Sequence, residues 1–303
     1  MNAFAADLVA LAGLAGAPLL VGIVNRFKAW LGGRRGAPLA QPYREIFKLL
    51  RRGVVYSHTT TWVFSLGAPL GLVTTVLAFL IIPAGGLGAP LRFGGDLIVA
   101  AGLLALGRFA TVLGALDTGS SFEGMGASRE AHLGALAEPV LFLALAVLVR
   151  LAGETSLSGV LAGIRPELWT TATPALALVA ATVLIVALVE CARVPVDDPT
   201  THLELTMIHE VMVLDHSGPD LAFIQYAAAL KLWLLGLLLA GIVFPVREAG
   251  VLVEAGVLAG GMLVFGLLVG AIESLTARWR LLAVPNLIVA AGALAAVAFL
   301  TTL

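Results

Sequence analysis

Eight apolar runs of roughly membrane-spanning length, without the two-residue alternation of barrel strands, leave this chain few ways to fold. They fall near 4–24, 62–82, 97–116, 133–152, 169–189, 221–246, 251–272 and 282–302. About 20 apolar residues cross a hydrocarbon core as a helix. In lipid, only helices and closed barrels satisfy their own backbone groups. The expected fold is an all-α membrane protein with about eight transmembrane helices and three larger cytoplasmic loops. Charged residues make up 12% of the chain, half the share of about 25% usual in soluble domains. Residues 1–303 read as one polytopic membrane domain with loops near 25–61, 117–132 and 190–220. No basic segment precedes the first run, so it reads as a span and not as a cleaved signal.

Orientation follows from lysine and arginine counts in the loops. One side carries 12: Arg26, Lys28, Arg34, Arg35, Arg44, Lys48, Arg51, Arg52, Arg129, Arg193, Arg278 and Arg280. The other carries four: Arg92, Arg150, Arg165 and Arg247. The basic side is expected to face the cytoplasm, with both termini outside. A single cysteine, Cys191, excludes an internal disulfide and any cysteine-built iron–sulfur centre in this chain.

The stretch from Glu190 to Lys231 is acidic and histidine-bearing amid membrane-grade sequence. Ionisable groups at membrane depth are costly and are functional candidates by default. Glu138, Glu190, Lys231 and Glu273 sit in or at the ends of spans; with Glu204 and Glu210 they form a candidate ion path. Burial raises a carboxyl pKa towards neutrality, which suits a proton relay. Arg108, near the middle of the third span, reads as a structural counter-charge. His202, His209 and His216 recur every seven residues, and seven residues of helix rise about 10.5 Å, too far for one ion. His209-Glu210 opens like HExxH, but Val213 stands where its second histidine belongs. No metal site is expected.

Thr200 or Thr201 can cap a helix expected after Pro199, and Thr201 and Glu204 have capping-box spacing. Gln41 to Leu50 reads as an amphipathic surface helix that touches anionic lipid or docks a protein. Gly256/Gly260 and Gly266/Gly270 fit close helix packing.

Three segments carry a family resemblance: QPYREIFKLLRR from Gln41, GASREAHLGALAEP from Gly126, and above all RVPVDDPTTHLELTMIHEVMVLDHSG from Arg193. Together they resemble the membrane subunit that anchors the peripheral arm of respiratory complex I and its hydrogenase relatives. Within that group the likeness is to energy-converting membrane-bound [NiFe] hydrogenases, the formate hydrogenlyase and hydrogenase-4 type. It extends over essentially the whole chain.

The resemblance implies a subunit with no redox centre of its own. Its expected partners are a [NiFe]-hydrogenase-like large subunit, an iron–sulfur small subunit and antiporter-like membrane subunits, besides the lipid bilayer; no nucleic acid is expected. The [NiFe] and iron–sulfur centres would lie in those partners. Gln41, Pro42, Arg44, Lys48, Arg129, Glu130, Arg193, Pro195, Asp197, Asp198 and His202 are the candidate loop and docking residues. Glu138 falls where the family has a buried glutamate. Complex I subunits carry a richer acidic run, of the form FDLPEAEAELV, in the third loop. Pro195, Asp197, Pro199 and Glu204 match that frame, whereas Thr200 and His202 replace glutamates. That loop helps form the quinone chamber in complex I, so quinone-binding complex I subunit and stand-alone carboxylate-based ion transporter are the rival readings.

Overall fold

The computed structural model describes residues 3–198, 207–246 and 250–303. Eleven α-helices lie among these residues: α1 (Ala3–Leu31), α2 (Gln41–Leu50), α3 (Trp62–Ile81), α4 (Asp96–Asp117), α5 (Ser121–Ala152), α6 (Leu157–Gly163), α7 (Pro166–Thr171), α8 (Thr173–Glu190), α9 (Gly218–Val243), α10 (Val251–Leu275) and α11 (Val284–Leu300). Eight of them, α1, α3, α4, α5, α8, α9, α10 and α11, are long and apolar enough to cross a membrane. The remaining three, α2, α6 and α7, are connectors. Successive long helices alternate in direction, so the connections 32–61, 118–120, 191–217 and 276–283 share one end of the bundle, here the loop face.

α9 is the central post: 67% of its most apolar stretch is buried, against 28% for α4 and for α11. It packs on α1, α2, α3, α8 and α10, while α3 pairs with α4, α1 with α10, and α8 with α11. Leu148, Leu161, Leu176, Leu230, Leu234 and Leu235 have almost no exposed surface and form the heart of the core. Within lipid, close contact and dispersion hold helices together more than water exclusion does. The α3–α4 pair shows this, because a Cβ on Gly107 would lie 2.7 Å from Thr74 Oγ1. Gly266 and Gly270 likewise face Leu20, Val24 and Phe27 of α1. Gly256 and Gly260 do not pack inside the chain; each faces open space.

One expectation changes. The 117–132 segment is not a loop: α5 begins at Ser121 and runs unbroken to Ala152, leaving a three-residue connection. At 32 residues α5 is about 48 Å long, more than a bilayer core needs, so its polar first turns extend beyond the apolar stretch. The helix expected after Pro199 lies outside the described residues. From Met207 on, the chain includes a short 3₁₀ turn, Glu210–Val213. Met212 and Val213 seat that turn in a small apolar cluster with Ala68, Ala115, Ala127 and Ile224. Gly126 makes room for it, since a Cβ there would lie 2.9 Å from the Ile208 carbonyl.

Candidate functional site

Five charged side chains from four helices meet inside the bundle. Arg108 on α4 uses three nitrogens for three carboxylates. Its Nη1 lies 2.6 Å from Glu138 Oε1 and its Nε 3.4 Å from Glu130 Oε1, while Nη2 meets Glu190 Oε1. The other Glu190 oxygen lies 2.7 Å from Lys231 Nζ. The Arg108 and Glu190 side chains are 8% and 4% exposed, so neither is solvated enough to stand alone; each needs the other.

Local sequence explains the convergence. Glu130, Gly134 and Glu138 follow each other at four-residue steps along α5, one stripe of a helix. The glycine in the middle leaves the space that the guanidinium fills: a Cβ at Gly134 would lie 2.7 Å from Arg108 Cζ. Glu190 is the last residue of α8, and Lys231 lies midway along α9.

Beside this network is a cavity of about 80 Å³, lined by Arg108, Glu130, Glu190 and Lys231 together with Thr75, Thr111, Cys191 and His209. A buried water needs a polar site and roughly 10–15 Å³ of such volume, so the cavity has room for several. Burial pushes the Cys191 thiol up to about 11. His209 is held below its ordinary value, chiefly by burial, with Glu130 pulling the other way.

The remaining candidates are distributed around this centre. Glu273 is in a separate group, with Oε2 2.6 Å from Lys28 Nζ and Oε1 3.3 Å from Arg193 Nη1. Asp197 is 2% exposed and works inwards: Oδ1 pairs with Arg278 at 3.2 Å, and Oδ2 accepts from the Ile208 and His209 amides at 2.9 and 3.1 Å. Pro195 is buried beside it, and the Asp198 amide donates to Asp197 Oδ1. Arg129 donates to the Met207 carbonyl at 2.8 Å. Gln41 donates to Glu45, Pro42 lies in the first turn of α2, and Arg44 and Lys48 are exposed. Glu210 opens the 3₁₀ turn. His202 and Glu204 lie outside the described residues. His216 stacks on Phe64 with ring centroids 4.0 Å apart.

Sequence reasoning missed the centrality of Arg108 and put Glu130 with the docking residues. The signal was available in Glu130-x3-Gly134-x3-Glu138, a stripe with a gap of one side chain.

A bundle of eight apolar helices with paired charges at depth defines a multi-pass membrane protein. The family model described as NADH dehydrogenase matches residues 5–303, and the chain belongs to that family. It is 35% identical over 294 residues to formate hydrogenlyase subunit 4 of Escherichia coli (strain K12), covering 95% of this chain and 94% of that one. It is 34% identical over 233 residues to hydrogenase-4 component C of the same organism, covering 77% of this chain and 72% of that one. Its fold matches a chain in the membrane-bound sulfane sulfur reductase, an archaeal respiratory membrane complex, with a TM-score of 0.85 at 20% identity and complete coverage of both chains.

Proposed function

We propose that this chain is the membrane subunit of an energy-converting, formate hydrogenlyase-like [NiFe] hydrogenase complex, and that the network around Arg108 is its ion-transfer element. Its similarity over almost its full length to formate hydrogenlyase subunit 4 supports the assignment. The loop face anchors the peripheral arm. Redox chemistry runs on [NiFe] and iron–sulfur centres in a large and a small partner subunit, and antiporter-like membrane subunits complete the ion path. The basic loop face lies in the cytoplasm, with both termini on the far side of the inner membrane.

The observation that carries the mechanism is a charge imbalance. Among the described residues, Arg108 and Lys231 face Glu130, Glu138 and Glu190, so two cations meet three carboxylates and one negative charge is left over within that group. A proton or sodium ion entering the cavity neutralises it. Arg108 then releases the neutralised carboxylate and keeps the other two, which converts local ion binding into a side-chain shift. The cavity itself, about 80 Å³, is below the roughly 300–1,000 Å³ of ordinary small-molecule sites and suits ions and water.

The test is purification of the complex through this chain, with metal analysis and ion-gradient measurement in proteoliposomes. Nickel with iron, and a gradient that falls at least tenfold in Glu138→Gln, are the expected results. Iron without nickel would move the chain to another complex, and an unchanged gradient would make the network structural.

A further inference from the structure

The α2 helix lies deeper than a loop helix needs to. The Tyr43 hydroxyl donates to the Ala15 carbonyl of α1. Ala15 is 11 residues before Arg26, roughly 16 Å towards the membrane interior along a helix. A Cβ at Gly22 of α1 would collide with the Leu39 carbonyl just before α2. The other end of α2 rises to the loop face, where a Cβ on Gly218 would lie 2.6 Å from the Gly53 carbonyl. α2 therefore slopes along α1 and α9 from the apolar level up to the headgroup level.

One side of this helix borders an open concavity of about 460 Å³ formed by Tyr43, Arg44, Phe47, Lys48, Arg51 and Arg52 with Ala40. Four of these seven are cations and none is acidic. The neighbouring carboxylate, Glu45, is bonded to Gln41 at 2.9 Å and does not border the space. The cations gather towards the shallow end, and Phe47 is 60% exposed among them. An apolar ring beside arginines at this depth is the pattern of an interfacial helix, and guanidinium groups match phosphate oxygens in a two-pronged fork.

We propose that this face binds the headgroup phosphate of one anionic phospholipid, such as phosphatidylglycerol, from the leaflet at the loop face. The phosphate sits among Arg44, Lys48, Arg51 and Arg52, and the first acyl carbons lie on Phe47 and Tyr43. Charge and depth together favour lipid: four cations border the space, and Tyr43 below them is tied to Ala15 within the apolar span α1.

The test uses the whole complex, partly delipidated in mild detergent and titrated with phosphatidylglycerol or phosphatidylcholine, with bound lipid counted by native mass spectrometry. Wild type should prefer phosphatidylglycerol and lose that preference at high salt, a readout that needs no variant. R44Q/K48Q/R51Q/R52Q should weaken retention by about fivefold per cation, taking roughly 1 kcal/mol for each near a membrane surface. R51K/R52K should keep the preference. Equal retention of both lipids by wild type would overturn the proposal, as would unchanged retention in the quadruple variant. Loss of peripheral subunits with lipid still bound would overturn it in favour of a protein-docking face.

Discussion

Lys231 reaches across from the middle of α9 to Glu190 at the end of α8, Nζ to Oε2 at 2.7 Å, and so links the central helix to the start of the 191–217 connection. Arg108 takes the other oxygen. One carboxylate thus holds two cations from two helices.

Glu190→Gln is expected to destabilise the protein by about 3 kcal/mol, the lower end of the cost of breaking a buried pair, because Lys231 is 16% exposed and partly solvated. Arg108 keeps Glu130 and Glu138 and loses less. Glu190→Gln/Lys231→Met should recover most of the loss, since it removes the orphaned cation with its partner. Thermal unfolding of both variants in one detergent checks this. A double variant no more stable than the single one would show that Lys231 is not the charge left uncompensated.

Acid sensitivity is expected from His216. Burial behind Phe64 holds its pKa below the ordinary value, although Asp220 and Asp215 nearby pull upwards. Tyr56 occupies Asp220, its hydroxyl 2.9 Å from Oδ2. A histidine with a depressed folded pKa stays neutral while the unfolded chain takes up a proton, so stability rises with pH. The contribution is whole above the unfolded value of about 6.5 and is lost as pH falls through the folded one. His216→Gln should flatten the Tm profile between about pH 7 and pH 5 relative to wild type. An equal slope in both proteins would assign the effect elsewhere, His209 being the next group to replace.

The membrane fold was readable because hydropathy and length suffice to mark spans, and because charges at depth announce themselves. Glu138, Glu190 and Lys231 were found on that ground, and all three meet Arg108 or one another. What the chain hid was partnership. A single sequence shows that Arg108 is buried but not that three carboxylates rotate towards it, which depends on how α4, α5 and α8 pack. Glu130 looked like loop because its neighbours are polar, yet helix continuity through Ser121–Leu133 carries it onto the Arg108 stripe. Asp197 looked like a docking residue because acidic loops usually face water; here it ties down the Ile208 and His209 amides.

Gly134→Ala tests the network without touching any charge. By helix propensity alone, the change should stabilise α5 by about 1 kcal/mol. The added methyl, however, would lie 2.7 Å from Arg108 Cζ and 2.9 Å from its Cδ, so the guanidinium must move. That side chain is 8% exposed and held 2.6 Å from Glu138, beside the cavity of about 80 Å³. Displacement costs on the order of 3 kcal/mol if one buried pair is broken, which outweighs the propensity gain. The expected result is a lower Tm and at least a tenfold loss of ion coupling in an assembled complex. Arg108→Lys in the same background should restore part of both, because an ammonium needs less room than a guanidinium. A Gly134→Ala protein with wild-type Tm and coupling would mean that Arg108 moves freely, and the ion-pair geometry would then carry no functional weight.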